Sequence, residues 1–170
     1  TIHFPEFPGA LSEPQLHALK FAELYDYMRR LRLKRRYHAT RYRASGDING
    51  WIKSLPFELT EDQKNAIGEI RQDLSGKYAS RRMIVGDVGS GKTMVILASV
   101  VLMRPYRSIL MAPTTILAAQ LYEEAQKFLP DLRIALVTNA TKKGSLEGYD
   151  FIIGTHALLH RDLPEAGLVM

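Results

Sequence analysis

Cysteine is absent from this 170-residue chain, which excludes disulfide scaffolds, Cys-based zinc sites and thiol redox chemistry and is compatible with a reducing compartment. Long apolar runs are absent too. The longest, MVILASVVLM at 94–103, is about half of what a bilayer span requires. The opening residues TIHFPEFPGA lack the charged-then-apolar pattern of a secretory leader. A soluble, cytoplasmic protein is therefore expected. Neither disorder nor a fibrous structure fits, because 46% hydrophobic and 24% charged residues lie close to average usage. There is no internal repeat or low-complexity segment, and the length suits one ordinary domain with one appended element.

Charge is unevenly distributed. The net charge of +5 favours an anionic partner, although a modest basic excess is also common on solvated surfaces. Residues 29–43, RRLRLKRRYHATRYR, hold eight lysines and arginines, Arg35 and Arg36 at their centre, and no acid. This stretch ends a segment that reads as one helix, opening near Ser12 with Pro14 in its first turn and Leu24, Tyr27, Met28 and Leu31 on one face. The cations suit the negative end of a helix dipole. They equally suit nucleic-acid phosphates, with Tyr37 and Tyr42 available for stacking. The turn residues of ASGDINGWIKSLP then read as a linker with Trp51 as a packing anchor. The expected organisation is a helix and basic linker over 1–55 and a main domain over 56–170.

From Pro56 onward helices and short apolar strands alternate. LTEDQKNAIGEIRQDLSG spaces Thr60 and Gln63 as a capping box, repeats apolar residues at Ile67, Ile70 and Leu74, and stops at Gly76. RMIVGDV reads as a buried strand, KTMVILASVVLM as a helix apolar nearly all round, and SILMAP as a second strand. TILAAQLYEEAQKFL is amphipathic, and RIALVT, DFIIGT and GLVM read as further strands. The fold class expected is α/β, a parallel sheet with helices on both faces and ligands at the carboxyl ends of the strands.

GDVGSGKT at 86–93 satisfies G-x-x-x-x-G-K-[ST], after an apolar strand and at the start of a helix. In that context Gly86, Gly89 and Gly91, with Ser90 between the last two, let the backbone turn its N–H groups inward around a phosphate. Lys92 would reach the terminal phosphates and Thr93 would hold magnesium, so ATP and Mg2+ are the expected cofactors. Hydrolysis further requires a carboxylate at a neighbouring strand tip. GLVM ends without one, Asp150 lies at the wrong end of its strand, and Asp87 lies inside the loop. The expectation is a piece of a longer enzyme that holds nucleotide but turns over little of it.

Four stretches in order and approximate spacing, LPFELTEDQ, GDVGSGKT, MAPTTILAAQ and IIGTHALL, resemble the first motor domain of superfamily 2 helicases, most closely the bacterial RecG branch-migration family. The resemblance runs from Phe21 onward, and the basic helix resembles the segment joining that family's N-terminal DNA-binding wedge to its motor. It implies a P-loop, RecA-like domain acting on branched or forked DNA in replication, recombination and repair. Gln63 matches the family's adenine-reading glutamine, with Phe57 a stacking partner, while Gln63 can also complete its capping box. Pro113, Thr114 and Thr115 match a motif that contacts the DNA backbone, although either threonine can equally cap a helix. Gly154, Thr155 and His156 match a second DNA-facing motif, with Thr155 favoured over the histidine.

The family continues past the last strand into a D-E-x-H box, a second motor domain with its arginine finger, and, upstream, the wedge; none of these is in this sequence. NATKKGSLEGYD is also shorter than the family's segment there and reads as a flexible loop. Three competing readings remain: the motor of the transcription-repair coupling translocase, a small-molecule kinase, and a non-catalytic nucleotide- and DNA-binding module. A kinase would need an arginine-rich lid, which does not follow the strands, and a binding module would lose DNA affinity steeply with salt.

Overall fold

The computed structural model describes residues 12–34 and 38–170. The chain divides into two units, 1–37 and 38–170. In the first, helix α1 spans Glu13–Lys34. Its start is fixed by Ser12, whose N–H and Oγ–H both donate to Gln15 Oε1 at 3.0 and 2.9 Å. Leu24, Tyr27, Met28 and Leu31 are all exposed on it, and Asp26 pairs with Arg30 one turn on. Arg35, Arg36 and Tyr37 lie outside the described residues.

The second unit is built on a four-stranded, wholly parallel sheet. Its strands are β1 (Ser108–Met111), β2 (Ile134–Val137), β3 (Phe151–Gly154) and β4 (Leu168–Val169), in the order β2-β3-β1-β4. The central strand β3 is buried throughout, as expected of a run flanked on both sides and covered on both faces. This is the α/β architecture read from the alternation of periods.

Helices α2 (Ile48–Ser54), α3 (Glu61–Ser75), α4 (Lys92–Met103) and α5 (Thr115–Phe128) complete the unit. α3 opens with the expected capping box, Thr60 and Gln63 each bonding the other's backbone N–H. α4 is the hub. It is buried on nearly every side, with Leu97, Ala98, Val100 and Val101 at most 2% exposed, and it packs against α2, α3 and α5. One core cluster joins these helices to Leu110, Phe151 and Ile153, and a smaller one gathers Ile109, Ala135, Val137, Ile152 and Leu158 on the other sheet face. Neighbours such as Ile109 and Leu110 separate between the two clusters because successive strand side chains point to opposite faces. Within the second unit α2 to α5 share one face of the sheet, while a short 310 helix, His156–His160, places Leu158 on the other.

Two stretches differ from the sequence expectation. The supposed linker contains α2, capped by Asp47, which accepts the Gly50 N–H at 3.0 Å. Ile48 is buried, and the Trp51 indole N–H donates to the Phe128 carbonyl at 2.9 Å. Residues 38–46 are likewise tied into this unit, Ala44 N–H to Leu74 O and Gly46 N–H to Leu102 O. Conversely, residues 82–88, expected as a buried strand, form no ladder, and Met83 and Val85 are 86% and 85% exposed. Among the described residues no strand of the sheet bonds to this stretch. Arg82 is instead held on α3 by Asp73 and Glu69. A cavity of about 670 Å3, bordered by Ile84, Ile96, Leu110 and Val169, separates this stretch from the edge.

Candidate functional site

The glycine-rich loop leads directly into α4. Gly89 and Gly91 have φ of +83° and +75°, a region in which a side chain strains the backbone. Gly91 is the residue from which α4 begins. A Cβ there would lie 2.3 Å from Gln63 Nε2, so the glycine provides both the backbone twist and the space for α3 to approach. Lys92 folds back over the loop, its Nζ donating to the Gly86 and Asp87 carbonyls at 2.8 and 2.6 Å. The cation thus sits beside unpaired N–H groups at a helix start, where the helix dipole also favours negative charge. Thr93, half-buried in the first turn of α4, borders a hollow with Leu117, Gln120 and Leu121 of α5.

Gln63 serves two structures at once. Its Oε1 accepts the Thr60 N–H at 3.0 Å, and its Nε2 donates to the Ser90 carbonyl at 3.1 Å. The capping role and a role at the loop are therefore compatible in one side chain. Phe57 lies edge-on to Phe128, centroids 5.7 Å apart, and is 43% exposed.

Parallel register brings three further segments side by side. Val137, Gly154 and Met111 occupy one row across β2, β3 and β1, so the loops starting at 138, 155 and 112 leave the sheet together at its carboxyl edge. The Ala112 N–H donates to the Gly154 carbonyl, and the Thr155 N–H to the Val137 carbonyl. Thr114 caps α5 by accepting the Leu117 N–H at 3.2 Å, and Pro113, Thr114 and Thr115 are all exposed. Gly154 is buried where a Cβ would come 2.4 Å from the Val137 carbonyl oxygen. Thr155 is 7% exposed with its Oγ1 accepting the Ala157 N–H at 3.4 Å, whereas His156 is exposed.

Sequence reasoning missed the order in the segment after β2. The Thr138 N–H donates to Thr141 Oγ1 at 2.9 Å, the Thr141 N–H to the Thr138 carbonyl, and Thr141 Oγ1–H to the Leu136 carbonyl. The signal was the T-x-x-T spacing directly after an apolar strand, a pattern in which a hydroxyl closes a turn. Asp150 stands apart from the cradle, whereas Glu123 and Glu124 border the same hollow as Thr93. Asp150 is bound by Arg133 through its backbone N–H, Nε and Nη2 at 3.0 to 3.2 Å, at the amino ends of β2 and β3. The Arg133 guanidinium holds the Asp150 carboxyl below the ordinary value.

A parallel sheet with a glycine loop opening its buried helix defines a P-loop, RecA-like α/β domain. The chain belongs to the DEAD/DEAH box helicase family, whose profile matches residues 60–168. It is 47% identical over 91% of its length to the ATP-dependent DNA helicase RecG of Helicobacter pylori strain ATCC 700392 / 26695. It is 34% identical over 99% of its length to RecG of Streptococcus pneumoniae serotype 4. It spans 27% of the length of each of these relatives. A solved structure of RecG bound to a three-way DNA junction superposes with a TM-score of 0.68 at 32% identity, covering 84% of this chain and 22% of that one.

Proposed function

We propose that this chain supplies the nucleotide-binding half of an ATP-dependent DNA helicase or translocase that remodels branched DNA. Residues 56–170 would carry the motifs of the first motor domain, with residues 38–55 folded into the same unit and residues 1–37 the segment preceding it in sequence. The observation that carries the reading is the register row of Val137, Gly154 and Met111. It places Thr114, Thr115 and the 155–156 turn side by side, next to the helix that the phosphate loop opens. A nucleotide held at one end of this row and a DNA backbone lying along the other would be linked through the same sheet edge. The similarity to a RecG bound to a three-way junction supports branched DNA as the partner.

The chain's own geometry supports a nucleoside triphosphate with magnesium at the loop. Gly89 and Gly91 adopt the positive φ that a tight phosphate-binding turn uses, and Lys92 lies over the loop. When bound, ATP supplies the free energy that a motor converts into movement. Within this chain Lys92 would neutralise the terminal phosphates, Thr93 would hold the magnesium, and Gln63, with Phe57, would meet the base. Thr114 and Thr115 would donate to DNA phosphate oxygens from the start of α5, with the backbone around Gly154 and Thr155 alongside. Arg35 and Arg36 would add phosphate contacts from the basic stretch.

Binding without substantial turnover is the behaviour we assign to the chain by itself. Its strand-associated Asp150 is committed to Arg133 at the amino end of the sheet, and Asp87 presents its backbone carbonyl to Lys92. No described helix is long and apolar enough to cross a membrane. The test is a calorimetric ATP titration with magnesium, paired with steady-state ATP consumption in the presence of forked DNA. Micromolar to millimolar binding with negligible consumption is expected. Clear turnover that disappears in Lys92→Ala would overturn the assignment of a holding role.

A further inference from the structure

Helices α3, α4 and α5 all end on one strap, residues 44–51. The final carbonyls of an α-helix have no partner within it, and this strap supplies donors to each helix in turn. The Ala44 N–H donates to the Leu74 carbonyl at 3.1 Å, and the Ser45 and Gly46 N–H groups both donate to the Leu102 carbonyl at 3.0 Å. Ser45 Oγ–H adds a bond to the Arg104 carbonyl at 2.7 Å. α2 then carries Trp51 to the end of α5, where its indole N–H meets the Phe128 carbonyl. The fit is closest at α4, since a Cβ on Gly46 would lie 1.7 Å from the Val101 carbonyl oxygen.

The other ends of α4 and α5 are placed differently. A hollow of about 350 Å3 is bordered by Thr93 in the first turn of α4 and by Leu117, Gln120, Leu121 and Glu124 of α5. Helices of 12 and 14 residues are rods about 18 and 21 Å long. Pinned together at one end, with open space towards the other, such rods move by pivoting about the pin.

We propose that Trp51 is a positioning residue: it pins the end of α5 to the strap that holds α4, so that nucleotide at the start of α4 and a single DNA strand at the start of α5 strengthen each other's binding. The inference rests on the nucleotide and DNA reading above and adds the group through which the two sites act on each other. Trp51 touches neither ligand. A shift of the first turn of α4 towards bound phosphate becomes a rotation about the strap, and the indole bond turns α5 with it. Without that bond α4 moves alone.

The test is titration of a fluorescein-labelled single-stranded oligonucleotide into this chain, with and without a saturating non-hydrolysable ATP analogue and magnesium. The ratio of the two dissociation constants measures the coupling, which should be about fivefold or more in the unmodified chain. Trp51→Phe keeps an aromatic ring but has no N–H to donate, and should bring the ratio to about one while each ligand alone binds as before. A general loosening of the fold would weaken both titrations together and leave their ratio unmoved. Gly46→Ala, which forces the strap off α4, should abolish the coupling from the other side of the pin; Trp51→Phe, which adds no bulk, decides the matter if that variant fails to fold.

A ratio in Trp51→Phe equal to that of the unmodified chain overturns the proposal. So does a ratio of one in the unmodified chain when both ligands bind. The absence of any nucleotide or DNA affinity in the unmodified chain removes instead the reading on which the proposal rests.

Discussion

Gln63 Nε2 donates to the Ser90 carbonyl at 3.1 Å while Oε1 of the same side chain accepts the Thr60 N–H at 3.0 Å. One amide thus ties the start of α3 to the loop that opens α4. The two functions separate chemically. A glutamate at this position retains an acceptor for the Thr60 N–H, as capping boxes allow, but has no donor for the carbonyl. Gln63→Glu should therefore leave the urea midpoint nearly unchanged and weaken ATP binding about tenfold, a loss equivalent to one good hydrogen bond. Gln63→Ala should lose both, with stability falling by about 1 kcal/mol. Wild-type ATP affinity in the glutamate variant would show that the contact with Ser90 does not shape the loop for nucleotide.

Lys92→Ala removes the charged side chain bonded to the Gly86 and Asp87 carbonyls. Those residues are exposed, so water can replace the lost bonds and thermal stability should move by less than about 1 kcal/mol. Nucleotide affinity should fall more than about tenfold, because a charge-assisted bond to phosphate contributes more than a neutral one. A titration with a fluorescent ATP analogue checks this, and an unchanged dissociation constant would place the nucleotide elsewhere.

Most of the sheet and its helices were legible because their signals are local. The Thr60 and Gln63 spacing, the continuous apolar character of 94–103 and the short apolar runs at 108–111 and 151–154 all act within one element. The failures are where a distant partner decides. Residues 82–88 have strand composition, but Arg82 finds Asp73 and Glu69 on α3. α2 is helical because Asp47 caps it and Ile48 finds a buried place on the core, neither of which the glycine and serine around it disclose. At the site, the glycine loop and Lys92 were readable from spacing. The clasp of Arg161 on the Thr141 and Lys142 carbonyls was not, because it joins residues about twenty apart.

Gly154 is a position at which packing leaves no room for a side chain. Its missing Cβ would lie 2.4 Å from the Val137 carbonyl oxygen and 2.8 Å from Leu158 Cγ. The carbonyl belongs to an adjacent paired strand and cannot withdraw without breaking the ladder. Gly154→Ala should destabilise the chain by about 2 kcal/mol, within the range of core overpacking. Gly148→Ala meets nothing within 4 Å and serves as the contrast, with stability within about 0.5 kcal/mol of wild type. Equal urea midpoints for the two variants would show that the register row relaxes freely.

The pair of Asp150 and Arg133 gives the fold a pH dependence of calculable sign. The Arg133 guanidinium, through its hydrogen bonds and its charge, depresses the Asp150 carboxyl below its ordinary value in the folded chain, with a smaller contribution from Arg104. A depressed carboxyl binds its proton more weakly when folded than when unfolded, so its stabilisation is fully present above the unfolded value of about 3.9. It is lost as pH falls through the folded value. Arg133 is 69% exposed and Asp150 35%, so solvent screening limits the contribution to less than about 1 kcal/mol. Asp150→Asn keeps an acceptor for the Arg133 N–H but loses the charge. Its urea midpoint should lie below wild type at pH 7, and the gap should narrow as pH falls below the ordinary carboxylate value of about 3.9. A gap of constant size across that range would assign the role of Asp150 to its hydrogen bonds and not to its charge.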